Sequence, residues 1–410
     1  MSGTGVYLRS LQLTNYRSFR RLALTLGDGP TIIQAENAQG KTNLLEAIEL
    51  LATGKSARAG SDRELIYWSA VSGAAGDSDP GPAFARISAV VAQPRGETHA
   101  DVLLRVTDSS DDGATPGVSK TFRLNGLPRR ALEFVGEINV VAFSPEDVDL
   151  VAGSPSGRRR YLDVTNGQMS GRYLRSLQRY NKVLVQRNQL LRQARDQGQA
   201  DPSLDAWDHE LAIAGAFILQ ERARSVRALA GFADRWFREL SGWGQKLEIR
   251  YQPGIADPEA GVLRGVPDEG DGALSAIYAA FMQALGRVQG RERAAAVSLV
   301  GPHRDDLSFL VDGIDMKVYG SRGQQRLAAL SLKLAEMDLF ATRAGSRPIL
   351  LLDDVLGELD ERKQKAVLHA VASAGQTLLT VTNLGTLDRD ALPGATVLHL
   401  EGGTLVQGEL

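Results

Sequence analysis

Two short segments near opposite ends of the chain limit the folds available to it. The first runs from Ala35 to Thr42 and has the sequence Ala-Glu-Asn-Ala-Gln-Gly-Lys-Thr. It follows a short apolar run at 31–33 and precedes apolar residues at helical spacing from Leu44 to Ala52. A strand, a loop of small residues and a helix form the arrangement in which backbone amides wrap a phosphate group. The segment therefore predicts a nucleotide phosphate site.

Each part of this predicted phosphate loop has an expected role. Lys41 would contact the β- and γ-phosphates, and the Thr42 hydroxyl would contact Mg²⁺. Ala35 stands where the strict pattern has Gly. Ala38 also stands where related loops often have Gly, and a positive φ there would be strained. The predicted nucleotide-binding residues of the loop are Ala35, Glu36, Asn37, Ala38, Gln39, Gly40, Lys41 and Thr42.

The second segment is an apolar run that ends in two carboxylates. Residues 349–352 are Ile-Leu-Leu-Leu, and Asp353 and Asp354 follow. This pattern predicts a buried parallel strand whose carboxyl end lies at the ligand-binding edge of an open sheet. Asp353 is expected to hold Mg²⁺ near Thr42, and Asp354 to orient or deprotonate the attacking water. More than three hundred residues separate the two segments, so we expect a large second lobe between them.

A third segment indicates that two subunits share the site. Ser321 to Gln325 precedes a predicted helix over 325–340, where small residues at a helix start would allow close approach to a γ-phosphate. Alone, such a segment is typical of a simple helix cap. Between a phosphate loop and a metal-binding strand it indicates an ABC-type signature, which acts on a nucleotide held by a second chain. We therefore expect an ATP-dependent homodimer, and the residues predicted to act in trans are Ser321, Gly323, Gln324 and Gln325.

The composition excludes several classes of protein. The net charge is −2, so any surface that binds nucleic acid must be a local patch. The chain has no cysteine, which excludes disulfides, thiolate zinc sites and cysteine nucleophiles. No secretory-type apolar core begins the chain, and no apolar run is long enough to span a bilayer. We expect a cytoplasmic protein without a membrane partner.

Apolar periodicity predicts an α/β fold with two lobes. Alternation predicts strands at 7–13, 84–90, 101–106 and 120–124, which we interpret as an antiparallel sheet. Asn125-Gly126 and Asp312-Gly313 predict hairpins. Helical periodicity dominates from 153 to 242, with a break near 197–202, and polar segments at 108–113 and 253–273 are expected to be loops.

The expected architecture is therefore a two-lobed ABC-type ATPase head without a long coiled coil. Lobe I, which binds the nucleotide, would contain residues 1–145 and 346–410. Lobe II, which is mostly helical and carries the signature, would contain residues 146–345.

A basic helix face is a candidate for contact with DNA. Residues 153–195 contain ten Lys or Arg and one acidic residue. Four of the basic residues share one helix face, namely Arg172, Arg175, Arg179 and Lys182. Such a face suits phosphate contacts, which are independent of DNA sequence, but an ordinary solvated helix face has the same pattern. The basic cluster consists of Arg158, Arg159 and Arg160, and it either contacts DNA or connects the two lobes.

One short polar cluster suggests a metal site but fits a structural network better. His303 and Arg304 precede Asp305 and Asp306. One His beside two adjacent carboxylates is a weak ligand set for a transition metal. We expect these side chains to form a buried polar network.

The motifs occur in an order typical of one family. The chain resembles the bacterial RecF family, recombinational-repair members of the ABC ATPases that are related to the heads of SMC proteins. The matching stretches are Leu13–Phe19, Glu36–Ile48, Phe143–Asp147, Arg158–Asp163, Gly301–Asp306 and Leu351–Asp360. They span nearly the whole chain.

The resemblance implies dimerisation on duplex or gapped DNA with ATP, slow hydrolysis, and cooperation with RecO and RecR in loading RecA onto gapped DNA. It implies a nucleotide contact for Arg17. It also makes Asp354 the catalytic base where relatives have Glu, with Lys41 as a second catalytic residue. The loop implied to couple the two sites consists of Gly357, Glu358, Leu359 and Asp360.

Two positions depart from the ABC pattern. The stretch Phe143–Asp147 has no Gln where relatives place one that contacts Mg²⁺ and water. Thr382 or Asn383 stands where a switch His is expected. Both departures predict slow turnover, as in a timing switch.

Two other functions share these motifs. The ATPase subunit of an ABC transporter has the same loop, signature and metal strand, but not the basic helical lobe. A DNA-binding scaffold that binds ATP without turnover fits the departures at Ala35 and Ala38.

Overall fold

The structure is a computed structural model of the 410-residue chain. It describes residues 6–68, 83–93, 96–107, 117–197, 203–242, 244–255, 259–263, 271–386 and 392–407. The predicted polar loop at 108–113 lies outside these residues. So do residues 198–202 of the predicted helix break and residues 256–258 and 264–270 of the predicted loop at 253–273.

The strands of the described residues, in chain order, are β1 (Tyr7–Tyr16), β2 (Phe19–Thr25), β3 (Pro30–Gln34), β4 (Phe84–Gln93), β5 (Gly96–Val106), β6 (Val118–Leu124), β7 (Leu127–Arg129), β8 (Val140–Phe143), β9 (Leu247–Gln252), β10 (Asp306–Val311), β11 (Ile314–Asp315), β12 (Ile349–Asp353), β13 (Thr377–Val381), β14 (Thr396–Glu401) and β15 (Thr404–Gln407).

The α-helices of the same residues are α1 (Lys41–Thr53), α2 (Ala131–Phe134), α3 (Asp149–Ala152), α4 (Pro155–Met169), α5 (Gly171–Gln197), α6 (Leu204–Ser241), α7 (Asp271–Ala295), α8 (Met316–Tyr319), α9 (Arg322–Arg343) and α10 (Glu361–Ala374). Short 3₁₀ turns include Asp62–Leu65, Pro145–Val148, Pro302–Arg304 and Leu356–Glu358. In the part of the chain that is described, no helix has the length and apolar character needed to cross a bilayer.

The chain divides into two compact units. The first contains Met1–Glu146 and Glu336–Leu410, and the second contains Asp147–Ala335. Our expected lobe boundaries lay after residues 145 and 345. The second division of the structure therefore falls inside helix α9 rather than beyond its end.

The first unit contains two six-stranded sheets. One is antiparallel, with the strand order β2-β1-β4-β5-β6-β7. The other has the order β15-β14-β3-β13-β12-β8, and only β15 pairs antiparallel in it. The register pairs Leu352 with Phe143 and Val381 with Gln34, so β3, β13, β12 and β8 end at one edge. Parallel strands buried on both faces are expected to be continuous apolar runs, as β12 is from Ile349 to Leu352.

Helix α1 and the two sheets form the apolar core of the first unit. Leu44, Ile48 and Leu51 of α1 are fully or almost fully buried in it. The helix ends at Gly54, which has a φ of 70° and donates its amide to the Leu50 carbonyl, as a glycine that caps a helix does. The hairpin predicted at Asn125-Gly126 is confirmed, between β6 and β7.

The second unit combines helices α4 to α7 with the sheet β11-β10-β9. Its apolar core lies among α5, α6 and α7 and includes Tyr173, Tyr180, Phe217 and Phe281. The hairpin predicted at Asp312-Gly313 joins β10 to β11, and α8 follows directly after β11. The described helices form no long coiled coil, which agrees with the predicted fold class.

The polar network expected around His303 is present in the second unit. His303 Nδ1 lies 2.6 Å from the Tyr180 hydroxyl, and its Nε2 lies 3.1 Å from the Ser298 carbonyl oxygen. Asp305 is fully buried and accepts hydrogen bonds from Arg222 Nη1 at 2.5 Å and from the Gly254 amide at 2.6 Å. The burial of Asp305 raises its pKa, against the opposing effect of Arg222. These side chains therefore hold the loop before β10 in place.

His303 should make the protein less stable as the pH falls below about 6.5. Burial, with the nearby charges of Arg304 and Arg159, lowers the pKa of His303 to about 4. An unfolded His has a pKa of about 6.5, so between these values the unfolded chain binds more protons. We expect His303 to contribute a loss of about 1.4 kcal/mol of unfolding free energy per pH unit as the pH falls through this window.

Chemical denaturation at several pH values measures this slope. The slope should be smaller in His303→Asn and unchanged in His99→Asn, since His99 is exposed. Equal slopes for the wild type and His303→Asn would contradict the assignment.

Candidate nucleotide and metal site

The common edge of four parallel strands collects the polar residues of the candidate site. The loop after β3 leads into α1, Asp353 ends β12 and Asp354 follows it, and the turn that contains Glu146 follows β8. They enclose a cleft of about 300 Å³ in the first unit. The residues that line it are Asn37, Ala38, Gly40, Lys41, Thr42, Asn43, Arg58, Pro145, Glu146, Asp353 and Asp354.

Lys41 lies at the centre of the cleft. Its side chain is 6% exposed, and Nζ donates hydrogen bonds to the Ala35 carbonyl at 2.8 Å and to the Thr382 hydroxyl at 3.1 Å. The Thr382 hydroxyl in turn lies 3.3 Å from Asp354 Oδ1. The residue at the expected switch position thus links Lys41 to the predicted catalytic base.

Thr42 and Asp353 meet, although 311 residues separate them in sequence. The Thr42 hydroxyl donates to Asp353 Oδ2 at 2.6 Å. The Thr380 hydroxyl donates to the other oxygen, Oδ1, at 2.9 Å, and accepts the Asp354 amide at 2.9 Å. One hydroxyl and one oriented carboxylate at a helix start are hard oxygen ligands, which suit Mg²⁺ beside a phosphate group. The residues therefore fit the metal site predicted for Thr42 and Asp353.

The other loop residues differ in their surroundings. Asn37 and Ala38 line the cleft. Gln39 lies beside it, and its side-chain oxygen accepts the Gly402 amide at 3.0 Å. Gly40 has a φ of 97°, and a Cβ there would lie 2.7 Å from Ser18 Oγ, so only glycine fits this position.

Ala38 has the positive φ that the sequence suggests would be strained. Its φ is 66°, in the left-handed region that costs a residue with a Cβ about 1–2 kcal/mol. A glycine at this position would remove that cost. The more flexible unfolded chain of the glycine variant would offset about 0.5–1 kcal/mol of the gain in stability. We expect Ala38→Gly to raise the unfolding free energy by up to about 1 kcal/mol and to keep nucleotide affinity.

Ala35→Gly provides the matched control. Ala35 is buried and has no positive φ, so this substitution should lower stability by about 0.5–1 kcal/mol. Thermal and denaturant unfolding compare the two variants with the wild type. A loss of stability in Ala38→Gly as large as that in Ala35→Gly would contradict a strained loop.

Neither Arg58 nor Glu146 is among the predicted site residues, yet both line the cleft. Arg58 Nη2 donates to Glu146 Oε2 at 2.8 Å and lies 3.4 Å from Asp353 Oδ2. Burial alone would raise the pKa of Glu146, but hydrogen bonds from Ser144 and the backbone, together with the Arg58 charge, lower it. Glu146 lies in the stretch Phe143–Asp147, where the family pattern places a Gln, so its position carried a sequence signal. Arg58 carried none.

Arg17 has structural partners instead of a place in the cleft. Its Nε and Nη2 atoms donate to the two carboxylate oxygens of Glu46 at 2.8 and 2.7 Å, and Nη1 donates to the Glu64 carbonyl at 3.1 Å. Burial would raise the pKa of Glu46, but the hydrogen bonds from Arg17 and Ser56 lower it. Arg17 is not among the residues that line the cleft, and the nucleotide contact implied for it stays a prediction.

The signature segment lies at the start of α9 in the second unit. The Ser321 amide donates to Gln324 Oε1 at 2.9 Å, and Ser321 Oγ accepts the Gln324 amide at 3.3 Å. Ser321 and Gly323 are exposed. Gln325 is instead 6% exposed and donates to the Met316 carbonyl at 2.9 Å, so its side chain holds α8 rather than facing a partner.

The predicted coupling loop follows Asp354 in the first unit. Gly357 is exposed, and Asp360 caps α10 by accepting the Lys363 amide at 3.0 Å. The Gln364 side chain donates to the Leu356 and Leu359 carbonyls at 2.8 and 3.1 Å. The loop backbone is therefore fixed to α10, the helix that follows it.

Comparisons with known proteins identify the family. The model of the RecF/RecN/SMC N terminal domain matches residues 7–390. The chain is 41% identical to the DNA replication and repair protein RecF of Herpetosiphon aurantiacus, over 98% of this chain and 99% of that protein. It is 42% identical to the protein of the same name from Chloroflexus aggregans, over 98% and 100% of the two chains. The chain belongs to the RecF family.

Solved structures agree with this RecF-family assignment. A structure of the recombination mediator protein RecF-ATPrS in the RecFOR pathway matches with a TM-score of 0.82 and 29% identity, covering 99% of both chains. An Smc head domain from Pyrococcus furiosus matches with a TM-score of 0.52 and 15% identity, covering 99% of this chain and 96% of that one. At that identity the Smc match supports the fold alone. The fold is that of a RecF-type ABC ATPase head.

The basic residues of this RecF-family chain differ in exposure. The four on the predicted helix face, Arg172, Arg175, Arg179 and Lys182, are exposed on α5. Arg172 lies 4.2 Å from the centre of the Phe217 ring, and Arg179 pairs with Glu210 at the surface. The buried residues of α5 include Tyr173, Tyr180, Val183 and Leu191.

The arginine cluster on α4 separates into different roles. Arg158 is 1% exposed, and its guanidinium binds both carboxylate oxygens of Asp306 at 2.5 and 3.0 Å. Its predicted contact with DNA does not fit this burial, because the side chain connects α4 to β10. Arg159 donates to the Asp305 carbonyl at 2.9 Å, and Arg160 is exposed.

Proposed function

We propose that the chain is an ATP-dependent DNA-binding ATPase of recombinational repair and replication restart. Membership of the RecF family carries a role in DNA replication and repair and an ATPase fold. The observation that most supports the proposal is the 2.6 Å contact between Thr42 and Asp353. It joins the phosphate loop to the metal strand at one end of a cleft that also contains Lys41 and Asp354.

The residues of the cleft suggest a division of roles. Lys41 and the amides at the start of α1 would bind the ATP phosphates, and Thr42 and Asp353 would hold Mg²⁺. Mg²⁺ supplies charge neutralisation on the β- and γ-phosphates. Asp354 would accept a proton from the attacking water. Its orientation is supported by the Thr380 hydroxyl, which accepts the Asp354 amide, and by the Thr382 hydroxyl.

The signature would complete the site of a second copy of the chain. Ser321, Gly323 and Gln324 would contact the ATP of the partner, and Gly357 to Asp360 would couple the two sites. Large exposed apolar side chains near the signature in sequence support contact with a second subunit there. Ile314, Val318 and Tyr319 are 54%, 66% and 76% exposed. Such exposure is typical of a surface that another protein covers. ATP shared by two subunits would favour the dimer by its differential affinity.

The exposed basic face of α5 is the proposed DNA surface. Its cations would bind backbone phosphates of duplex or gapped DNA, so binding should be independent of sequence and sensitive to salt. Arg159 and Arg160 lie on the preceding helix and would extend this surface. ATP would close the dimer on DNA, and slow hydrolysis would release it. The chain would cooperate with RecO and RecR in loading RecA, with RecR as a direct partner. A solved relative is described as a recombination mediator in the RecFOR pathway, which supports a place in that pathway.

ATP hydrolysis measured with and without linear duplex DNA tests this proposal. We expect DNA to stimulate hydrolysis in the wild type and not in Lys41→Met or Ser321→Ala. ATP should also increase the dimer fraction of the pure protein in the presence of DNA. Absence of stimulation, with hydrolysis unaffected by Ser321→Ala, would contradict the shared site.

A scaffold that binds ATP without turnover is the second candidate. One observation favours it: the base position is the short Asp354, held at a φ of 52° and bonded to Thr382. In that case Asp354→Asn would leave the hydrolysis rate unchanged while nucleotide binding persists. A transporter subunit, the other alternative from the sequence, is disfavoured by RecF-family membership.

A further inference from the structure

Arg58 lies between two carboxylates at the edge of the cleft. Its Nη2 atom is 2.8 Å from Glu146 Oε2 and 3.4 Å from Asp353 Oδ2. The same Asp353 oxygen accepts the Thr42 hydroxyl at 2.6 Å. We call Arg58, Glu146 and Asp353 the Arg58 bridge. The Arg58 guanidinium therefore lies beside Asp353 Oδ2, the oxygen that is expected to face the metal.

The backbone of Arg58 is fixed by the helix of the phosphate loop. Glu46 of α1 accepts the Ser56 hydroxyl at 2.5 Å, and Ser56 Oγ accepts the amides of Arg58 and Ala59 at 3.0 and 2.8 Å. The Arg58 side chain remains 33% exposed. Its long stem allows the guanidinium to move between neighbouring carboxylates while the backbone stays in place.

A divalent cation at Thr42 and Asp353 would compete with the Arg58 guanidinium for Asp353. A cation bound to Thr42 and Asp353 would lie within a few ångströms of the guanidinium, where two positive charges repel strongly in a partly buried site. Arg58 must then leave Asp353. Glu146 already accepts the shorter of the two contacts that Arg58 makes in the bridge. Glu146 can therefore keep Arg58 bound when Arg58 leaves Asp353.

We propose that Asp353 exchanges the Arg58 guanidinium for a divalent cation when nucleotide binds, and that Glu146 holds Arg58 in the metal-bound state. Glu146 is in this account a positioning residue, which sets how readily Asp353 accepts the metal. It lies in the stretch where the family pattern has a Gln that contacts Mg²⁺. The inference rests on the proposed nucleotide site and adds a control of metal binding to it.

Binding of a fluorescent non-hydrolysable ATP analogue, titrated with Mg²⁺, tests the bridge. Glu146→Gln should raise the Mg²⁺ concentration that gives half-maximal binding of the analogue by about tenfold. The reason is that Arg58 then stays on Asp353, since no other carboxylate of the bridge competes for it. Arg58→Met should lower that concentration, because the competitor for Asp353 is gone. The double variant should behave like Arg58→Met, because Glu146 acts only through Arg58.

Lys55→Met is the matched control, since it removes an exposed cation from the same loop and should not move the Mg²⁺ midpoint. Arg58→Lys keeps the positive charge, so its Mg²⁺ midpoint should be close to that of the wild type. A Glu146→Gln effect of equal size with and without Arg58 would overturn the bridge, as would no effect at all. A wild-type protein that binds no analogue at any Mg²⁺ concentration would overturn the proposed function and the bridge together.

Discussion

Lys41→Met is expected to weaken ATP binding about a hundredfold. Lys41 is the buried cation at the start of α1, and its Nζ has two neutral acceptors, the Ala35 carbonyl and the Thr382 hydroxyl. Hydrogen bonds to charged groups contribute about 1.5–3 kcal/mol each, so two lost phosphate contacts correspond to roughly a hundredfold or more in affinity. Methionine has a similar length and no charge, so the fold should persist. Fluorescence titration with an ATP analogue measures the loss.

Lys55→Met is the control for this variant as well. Lys55 is an exposed lysine that follows the other end of α1, so its removal changes the same net charge outside the cleft. Its affinity should equal that of the wild type. Equal affinities for Lys41→Met and Lys55→Met would mean that the loop does not bind the ATP phosphates.

Arg187→Met should lower the unfolding free energy of the second unit by about 3–5 kcal/mol. Arg187 is fully buried and donates to Asp208 at 2.5 Å, to Glu292 at 2.6 Å and to Ser298 at 2.8 Å. The substitution removes the cation that pairs with Glu292, which is also fully buried. An unpaired buried charge is costly, whereas the ion pair itself adds little net stability. Denaturant unfolding measures the change.

Arg179→Met on the same helix provides the comparison. Arg179 pairs with Glu210, but the two side chains are 55% and 41% exposed, so this ion pair should contribute less than about 1 kcal/mol. The two variants remove the same side chain and charge from α5 and differ in burial. Equal losses would contradict the assigned role of Arg187. Arg179→Met should weaken DNA binding instead, if the α5 face is the DNA surface.

The sequence predicted those parts of the site that belong to local sequence motifs. The loop at Lys41 and Thr42 and the strand end at Asp353 each have a pattern set by backbone geometry. The parallel sheet then brings them together, because strands that end at one edge place their next residues side by side. The antiparallel sheet and the helical second unit follow from the apolar periodicity of the sequence.

Contacts between distant residues without a local pattern were not predictable in this way. Arg58 reaches the cleft because Ser56 and Glu46 fix its loop, and no spacing in the sequence indicates that contact. The burial of Arg158 depends on Asp306, which is distant in sequence. Strand β9 was missed although Leu247 and Ile249 alternate with polar residues and Gly242 caps the preceding helix, because so short an alternation is a weak pattern by itself.

The most direct test of the central claim is complementation between two inactive variants. Asp354→Asn should bind ATP without hydrolysing it, and Ser321→Ala should lack the contact to the partner's ATP. In a mixed dimer, the phosphate loop of the Ser321→Ala chain meets the intact signature of the Asp354→Asn chain. Mixing equal amounts on duplex DNA should therefore restore about a quarter of the wild-type ATPase rate, since half the dimers are mixed and each contains one complete site. A rate no higher than the average of the two variants alone would contradict a site shared between two subunits.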